Sequence, residues 1–141
     1  SDVTVVTNDL AIATVLESHP SATIVFMGGI VRKNFHCTTM AGDSGHQIMP
    51  GLIVDKAFMG TNGLSLSRGA TTPDIHTAQT KKLMVSMASQ VIVVCDSSKL
   101  GRDSFAQFAS LEQIDRIITD FCPDEDRLRL DELGVDVHCC A

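Results

Sequence analysis

Tryptophan and tyrosine are absent from the 141 residues, which removes the usual aromatic platforms for stacking sugars or bases. Proline (4 residues) and glycine (10) are sparse while apolar residues reach 44%, so a disordered chain, a collagen-like repeat and a proline-rich linker are all excluded. Long apolar runs are missing too. Val91 to Cys95 is typical at about five residues, against the roughly 18 that a membrane-spanning helix needs. Cysteine occurs five times, at 37, 95, 122, 139 and 140, with no Cys-x-x-Cys spacing. An odd count without that spacing speaks against a disulfide framework or a zinc site, and free thiols fit a reducing cytoplasm. The five histidines show no metal-ligand spacing, so no metal is expected. Gly-x-Gly-x-x-Gly, Gly-Lys-Ser/Thr and Gly-x-Ser-x-Gly are likewise missing, and no nucleotide or other cofactor is expected.

The charge becomes informative once it is divided. Residues 1–111 hold eight acids and eight bases, so the net charge of -6 arises entirely from the last thirty residues, where nine acids face Arg116, Arg127 and Arg129. A net acidic chain repels a polyanion at long range, which makes this chain by itself a poor nucleic-acid binder.

Short apolar runs alternate with helical patterns. Strands are expected at Val3–Val6, Ala22–Met27, Lys56–Met59, Val91–Cys95, Arg116–Thr119 and Val135–His138. Asp9 is placed to cap a helix of about ten residues that Pro20 stops, and Asp74 to cap another reaching about Ser89. A charged helix is expected over 124–133, ended by Gly134, and a weaker helical pattern spans 42–53. The stretch from Gly63 to Pro73 reads as a loop. The fold class that follows is α/β, with a mostly parallel sheet and helices on both faces.

In an open parallel sheet, ligands bind beyond the carboxyl ends of the strands. Applied here, that rule selects Thr7 and Asn8 after the first strand, Gly28 and Gly29 after the second, and Gly60, Asn62 and Gly63 after the third. Asp96 and Lys99 follow the fourth, and Thr119-Asp120 ends the fifth. Glycines let backbone N–H groups approach a ligand, Asn and Asp bind hydroxyls, and Lys99 supplies a point charge to an anion. Each feature has a plainer reading: Gly28-Gly29 as a turn, Asp96-Ser97-Ser98 as a turn and cap, Asn8 as a helix cap. Their coincidence at five strand ends points to one crevice for a small, polar, anionic ligand. His76 near Asp74 reads as a solvated residue, and Met84 and Met87 as core.

Thr4-Val5-Val6-Thr7-Asn8, Gly28-Gly29-Ile30-Val31-Arg32-Lys33 and Asp55 to Gly60 followed by Gly63 resemble the effector-sensing domain of DeoR-type bacterial transcription regulators. Gly69 to Asp74, with Ala78 and Lys81 beyond it, continues the resemblance, as do Asp96-Ser97-Ser98-Lys99-Leu100-Gly101 and Ile117-Ile118-Thr119-Asp120. It implies a Rossmann-like fold similar to the sugar-phosphate isomerases, a phosphorylated sugar as effector, and a homo-oligomer. It also implies a repressor of carbohydrate catabolism genes, which touches DNA only through a winged helix-turn-helix domain on the N-terminal side. Family members usually begin one strand and helix earlier, so residues 1–141 read as an effector-sensing domain incomplete at that side. The residue before Ala78 is commonly Glu in the family and is Thr77 here, which weakens the rival reading as an isomerase. No catalytic residue is assigned.

Overall fold

The computed structural model describes residues 2–39 and 51–140. The chain divides into two compact units, residues 1–47 and 48–141.

The first unit opens as a β-α-β turn of chain. Strand β1 (Val3–Thr7) is built of β-branched residues and pairs in parallel with β2 (Ala22–Phe26), Val3 facing Ala22 and Thr7 facing Phe26. Between them runs α1 (Leu10–Leu16). The Asp9 carboxylate accepts the amides of Ala11 (2.8 Å) and Ile12 (3.0 Å), so the expected cap is in place. The helix is shorter than expected, ending at Leu16 with Glu17 as its C-cap. A hairpin not anticipated from the sequence follows, β3 (Ile30–Arg32) against β4 (Cys37–Thr39). Asn34 (φ 73°) and His36 (φ 56°) turn it through the left-handed region, which Asn and His tolerate better than most residues.

The second unit is built on a parallel four-stranded sheet ordered β11-β10-β8-β5. Its members are β5 (Val54–Met59), β8 (Ala88–Val94), β10 (Arg116–Thr119) and β11 (Asp136–Cys139). The register lines up Met59, Val93, Ile117 and Val137 in one row across the sheet. All four are buried, Val93 completely. The opposite face carries Phe58 at 65% exposure and Val94 at 45%.

Helix α2 (Ile75–Met87) starts at the Asp74 cap and runs directly into β8 with no connecting residue. Helix α3 (Asp124–Glu132) has Asp124, Glu125 and Asp126 in its first turn, where the helix dipole favours acids. It ends at Gly134 (φ 84°), as expected. The pattern over 42–53 falls outside the described residues up to Pro50, and Gly51 to Ile53 form no helix.

The stretch read as a loop between Gly63 and Pro73 is instead a hairpin. Strands β6 (Gly63–Ser65) and β7 (Gly69–Thr72) pair antiparallel, and β7 pairs with β9 (Ala106–Ala109) to complete a three-stranded sheet. All four residues of β7 are buried although none is larger than threonine. A search for large apolar runs passes over such a strand. Its Gly69 sits at φ 68°, and a Cβ there would lie 2.3 Å from the Ala109 carbonyl oxygen.

Gly69 and Gly101 separate two costs of replacing glycine. Both have left-handed φ, but a Cβ on Gly101 would meet nothing within 4 Å. Gly101→Ala should therefore cost only the backbone term of about 1–2 kcal/mol. Gly69→Ala should add an overpacking cost of roughly 1–3 kcal/mol. Urea unfolding midpoints check the order, and equal losses would contradict the contact at Ala109.

Candidate functional site

The carboxyl ends of β5, β8 and β10 lie at one edge of the parallel sheet, since Met59 is level with Val93, and Ile118 with Val94. Five of the residues selected from the sequence therefore belong to one edge: Gly60, Asn62 and Gly63 after β5, and Asp96 and Lys99 after β8.

The loop after β5 is held by its own bonds. Lys81 Nζ donates to the Gly60 carbonyl at 2.8 Å, and the Asn62 amide to the Thr71 carbonyl at 3.1 Å. The Thr72 hydroxyl donates to Asn62 Oδ1 at 3.0 Å, and the Thr61 hydroxyl to the Gly63 carbonyl at 2.7 Å. The two glycines have different reasons for being there. A Cβ on Gly63 would stand 2.5 Å from the Arg102 carbonyl oxygen, so packing alone requires a glycine. A Cβ on Gly60 would meet nothing within 4 Å, so on that side the backbone is open to a ligand.

After β8, a short 3-10 turn, Ser97–Lys99, is bound by two carboxylates. Asp120 Oδ1 accepts the Ser97 amide at 2.6 Å and Oδ2 accepts the Ser97 hydroxyl at 3.2 Å. Asp96 Oδ1 accepts the Ser98 amide at 2.8 Å and also the Ser98 hydroxyl. Hydrogen bonds from Ser98 hold the Asp96 carboxyl below its ordinary value, and those from Ser97 do the same for Asp120. Asp96 is thus a cap, as the plainer reading had it, and the turn's first amides are spent on the protein's own carboxylates. Lys99 is half-buried; its amide donates to the Asp96 carbonyl at 3.1 Å, while its ammonium makes no ion pair or hydrogen bond with another described residue. Cys95, between strand and turn, has its thiol pushed up to about 11, by burial first and then by Asp96 and Asp120. It is protonated at neutral pH and is no nucleophile.

The remaining four residues belong to the first unit. Thr7 is buried, its hydroxyl accepting the Asp9 amide at 3.1 Å and its carbonyl the Met27 amide at 2.8 Å. Asn8 does not cap α1, since Asp9 does; its Nδ2 donates to the Thr38 carbonyl at 2.7 Å and ties β1 to β4. Gly28 and Gly29 follow β2, the parallel partner of β1, and a Cβ on Gly28 would meet nothing within 4 Å.

Sequence reasoning did not take Lys81 or Thr72 as site residues, and placed Asp120 at the fifth strand end without giving it a role. Lys81 was out of reach of the strand-end rule, because its contact with Gly60 is made across 21 residues and leaves no local pattern. Among the described residues no group of three or more His, Cys, Asp or Glu is arranged to hold a metal ion, and no helix is long and apolar enough to cross a membrane.

A mostly parallel α/β sheet with a polar carboxyl edge belongs to the class of open α/β folds, in which small ligands bind at that edge. The family follows from comparison: the model of the DeoR C-terminal sensor domain matches residues 1–121, and the chain belongs to that family. It is 43% identical over 111 residues to the HTH-type transcriptional regulator GlpR of Haloferax volcanii, covering 78% of this chain and 43% of that protein. It is 36% identical over 124 residues to the HTH-type transcriptional repressor GlcR of Bacillus subtilis, covering 88% of this chain and 47% of that protein. With the HTH-type transcriptional regulator GolR of Listeria innocua the identity is 30% over 120 residues, 85% of this chain and 46% of that protein. The chain thus spans about half the length of these relatives. The family is one of transcription-regulator sensors, not of enzymes.

The carboxylates give a pH signature. A carboxyl whose folded value is depressed contributes stability above its unfolded value, near 3.9, and loses it as pH falls through the folded value. Ser98→Ala should raise the Asp96 midpoint toward the ordinary carboxylate value, since the Ser98 hydroxyl is the largest cause of its lowering, and leave Asp120 unmoved, read by carboxyl NMR titration. At pH 8, iodoacetamide should label exposed Cys140 well before Cys95. Faster labelling of Cys95 would contradict its burial.

Proposed function

We propose that this chain is the part of a DeoR-type regulator that senses a phosphorylated sugar. In this reading it acts in the cytoplasm as a homo-oligomer, and it modulates DNA binding by a separate winged helix-turn-helix domain outside residues 1–141. The regulator is proposed to repress carbohydrate catabolism genes. Support comes from the family and from the regulator and repressor names of its relatives. The observation that carries the ligand class is Lys99, a half-buried residue whose ammonium bonds no other described residue, at the same sheet edge as Gly60. Asn62 and Asp96 are proposed to bind hydroxyls beside it. Thr7, Asn8, Gly28 and Gly29 are proposed as effector contacts in the first unit.

The isomerase alternative requires a base poised near neutral pH. Asp96 is held below the ordinary carboxylate range by Ser98, the wrong direction for that task. Asp74 is engaged as a cap, accepting the Thr77 amide at 2.7 Å and its hydroxyl at 2.8 Å.

Thermal shift across a panel of aldose and ketose phosphates tests the reading, since a ligand of the folded state alone must raise the melting temperature. A shift is expected for at least one phosphorylated sugar and for none of the unphosphorylated ones. In the full-length regulator, Lys99→Ala should weaken the effector response by roughly 10- to 100-fold, the loss of one charge-assisted hydrogen bond, and leave operator affinity nearly unchanged. Lys82→Ala, exposed on α2, is the neutral control. A Lys99→Ala regulator that responds normally rejects the site. With a net charge of -6, residues 1–141 alone should give no sequence-specific DNA shift at physiological salt.

A further inference from the structure

The second unit contains a cavity of about 220 Å³ that none of the strand-end residues lines. Leu64, Cys122 and Leu130, all buried, form its floor. Leu66 and Leu100, half-buried, form its walls, and exposed Ser67 stands at its mouth. Apolar cavities of roughly 150 Å³ hold a benzene ring, so this one accepts a six-membered ring with a short substituent. The one charged residue among its lining is Asp126, which is half-buried. Asp126 lies in the first turn of α3 with Asp124 and Glu125, so this end of the helix is acidic; the Cys122 thiol is raised by burial first, then by Cys139 and Asp126, with Arg127 opposing. Four leucine side chains supply apolar contact, and a half-buried carboxylate attracts a cation and repels an anion.

We propose that this cavity is a second ligand site, for a compact apolar amine whose ring rests on Leu64, Leu100 and Leu130 and whose ammonium faces Asp126. Its selectivity is opposite to that of the Lys99 site, although Leu64 and Leu100 follow Gly63 and Lys99 directly in the chain. The proposal does not rest on the effector reading.

Methyl NMR of the leucines, titrated with benzylamine, benzyl alcohol and benzoate, tests it. Benzylamine should give saturable shifts at Leu64, Leu100 and Leu130, and bind about two- to five-fold tighter than benzyl alcohol, the size of a half-exposed ion pair. Benzoate should give none. Asp126→Asn should equalise the amine and the alcohol. Ser67→Phe should plug the mouth and weaken both at least tenfold, with the melting temperature retained. If Ser67→Phe does not fold, the Asp126→Asn comparison still decides. The proposal is overturned by any of three results: no saturable shift from the amine, a preference that survives Asp126→Asn, or displacement of benzylamine by ribose 5-phosphate. The last result would make the cavity part of a phosphate site.

Discussion

The register between β5 and β8 is the constraint on which the rest of the second unit depends. It sets Met59 against Val93, and β10 and β11 extend the same buried row through Ile117 and Val137. A slip of one residue would send every side chain of a strand to the other face, exposing this row and burying Lys56 and Phe58 in its place. The register is also locked from outside the sheet. Met87 ends α2 and Ala88 begins β8 with nothing between them, so the position of the helix fixes the strand. One hydrophobic row thus determines which loops share an edge, and with that where a ligand site is possible.

At that edge the protein consumes most of its own polar groups. Asp120 takes the Ser97 amide, Asp96 that of Ser98, Asp74 that of Thr77, and in the first unit Asp9 takes those of Ala11 and Ile12. Each pairing satisfies a turn or helix start that would otherwise lack a partner. No buried side-chain nitrogen or oxygen is left without one among the described residues. A polar residue at a strand end is therefore weak testimony for a ligand, because the fold needs it first. What the fold leaves unspent at this edge is the Lys99 ammonium and the open side of Gly60.

Legibility in the sequence followed side-chain size. Strand β10 was readable to the residue, because Ile117-Ile118-Thr119 is a run of β-branched residues flanked by charged ones. The capping roles of Asp9 and Asp74 were readable because a cap is a local chemical device. Strands β3, β4, β6, β7 and β9 were not, being three or four residues long and made largely of Gly, Ala, Ser and Thr or interrupted by charge. Their pairing partners, not their composition, make them strands. The site divided in the same way. Its edge could be found from topology, but the engagement of Asp120 with Ser97 and of Lys81 with Gly60 joins residues more than twenty apart. Nothing in the local sequence encodes such a contact.

The charge balance at the edge sets an orientation for the proposed effector. Lys99 is one positive charge, and it stands near Asp96, whose carboxyl it helps to keep ionised. Asp120 is bonded to the same turn. A phosphate close to both carboxylates would meet two negative charges for one positive, and the turn's amides are not free to compensate. Hydroxyls have the opposite preference, since a carboxylate accepts from them readily. Under the proposed function, a sugar phosphate bound at this edge would turn its hydroxyls toward Asp96 and Asp120 and carry its phosphate to the side of Lys99 away from them. Sensing adds one further requirement, because a ligand shifts an equilibrium only by its differential affinity for two states. The Gly60–Gly63 loop, tied by bonds from Lys81, Thr61 and Thr72, has little room to differ between states. The turn that follows β8 is held mainly by exposed carboxylates, so it is the element at this edge whose bonds an incoming hydroxyl can replace at least cost.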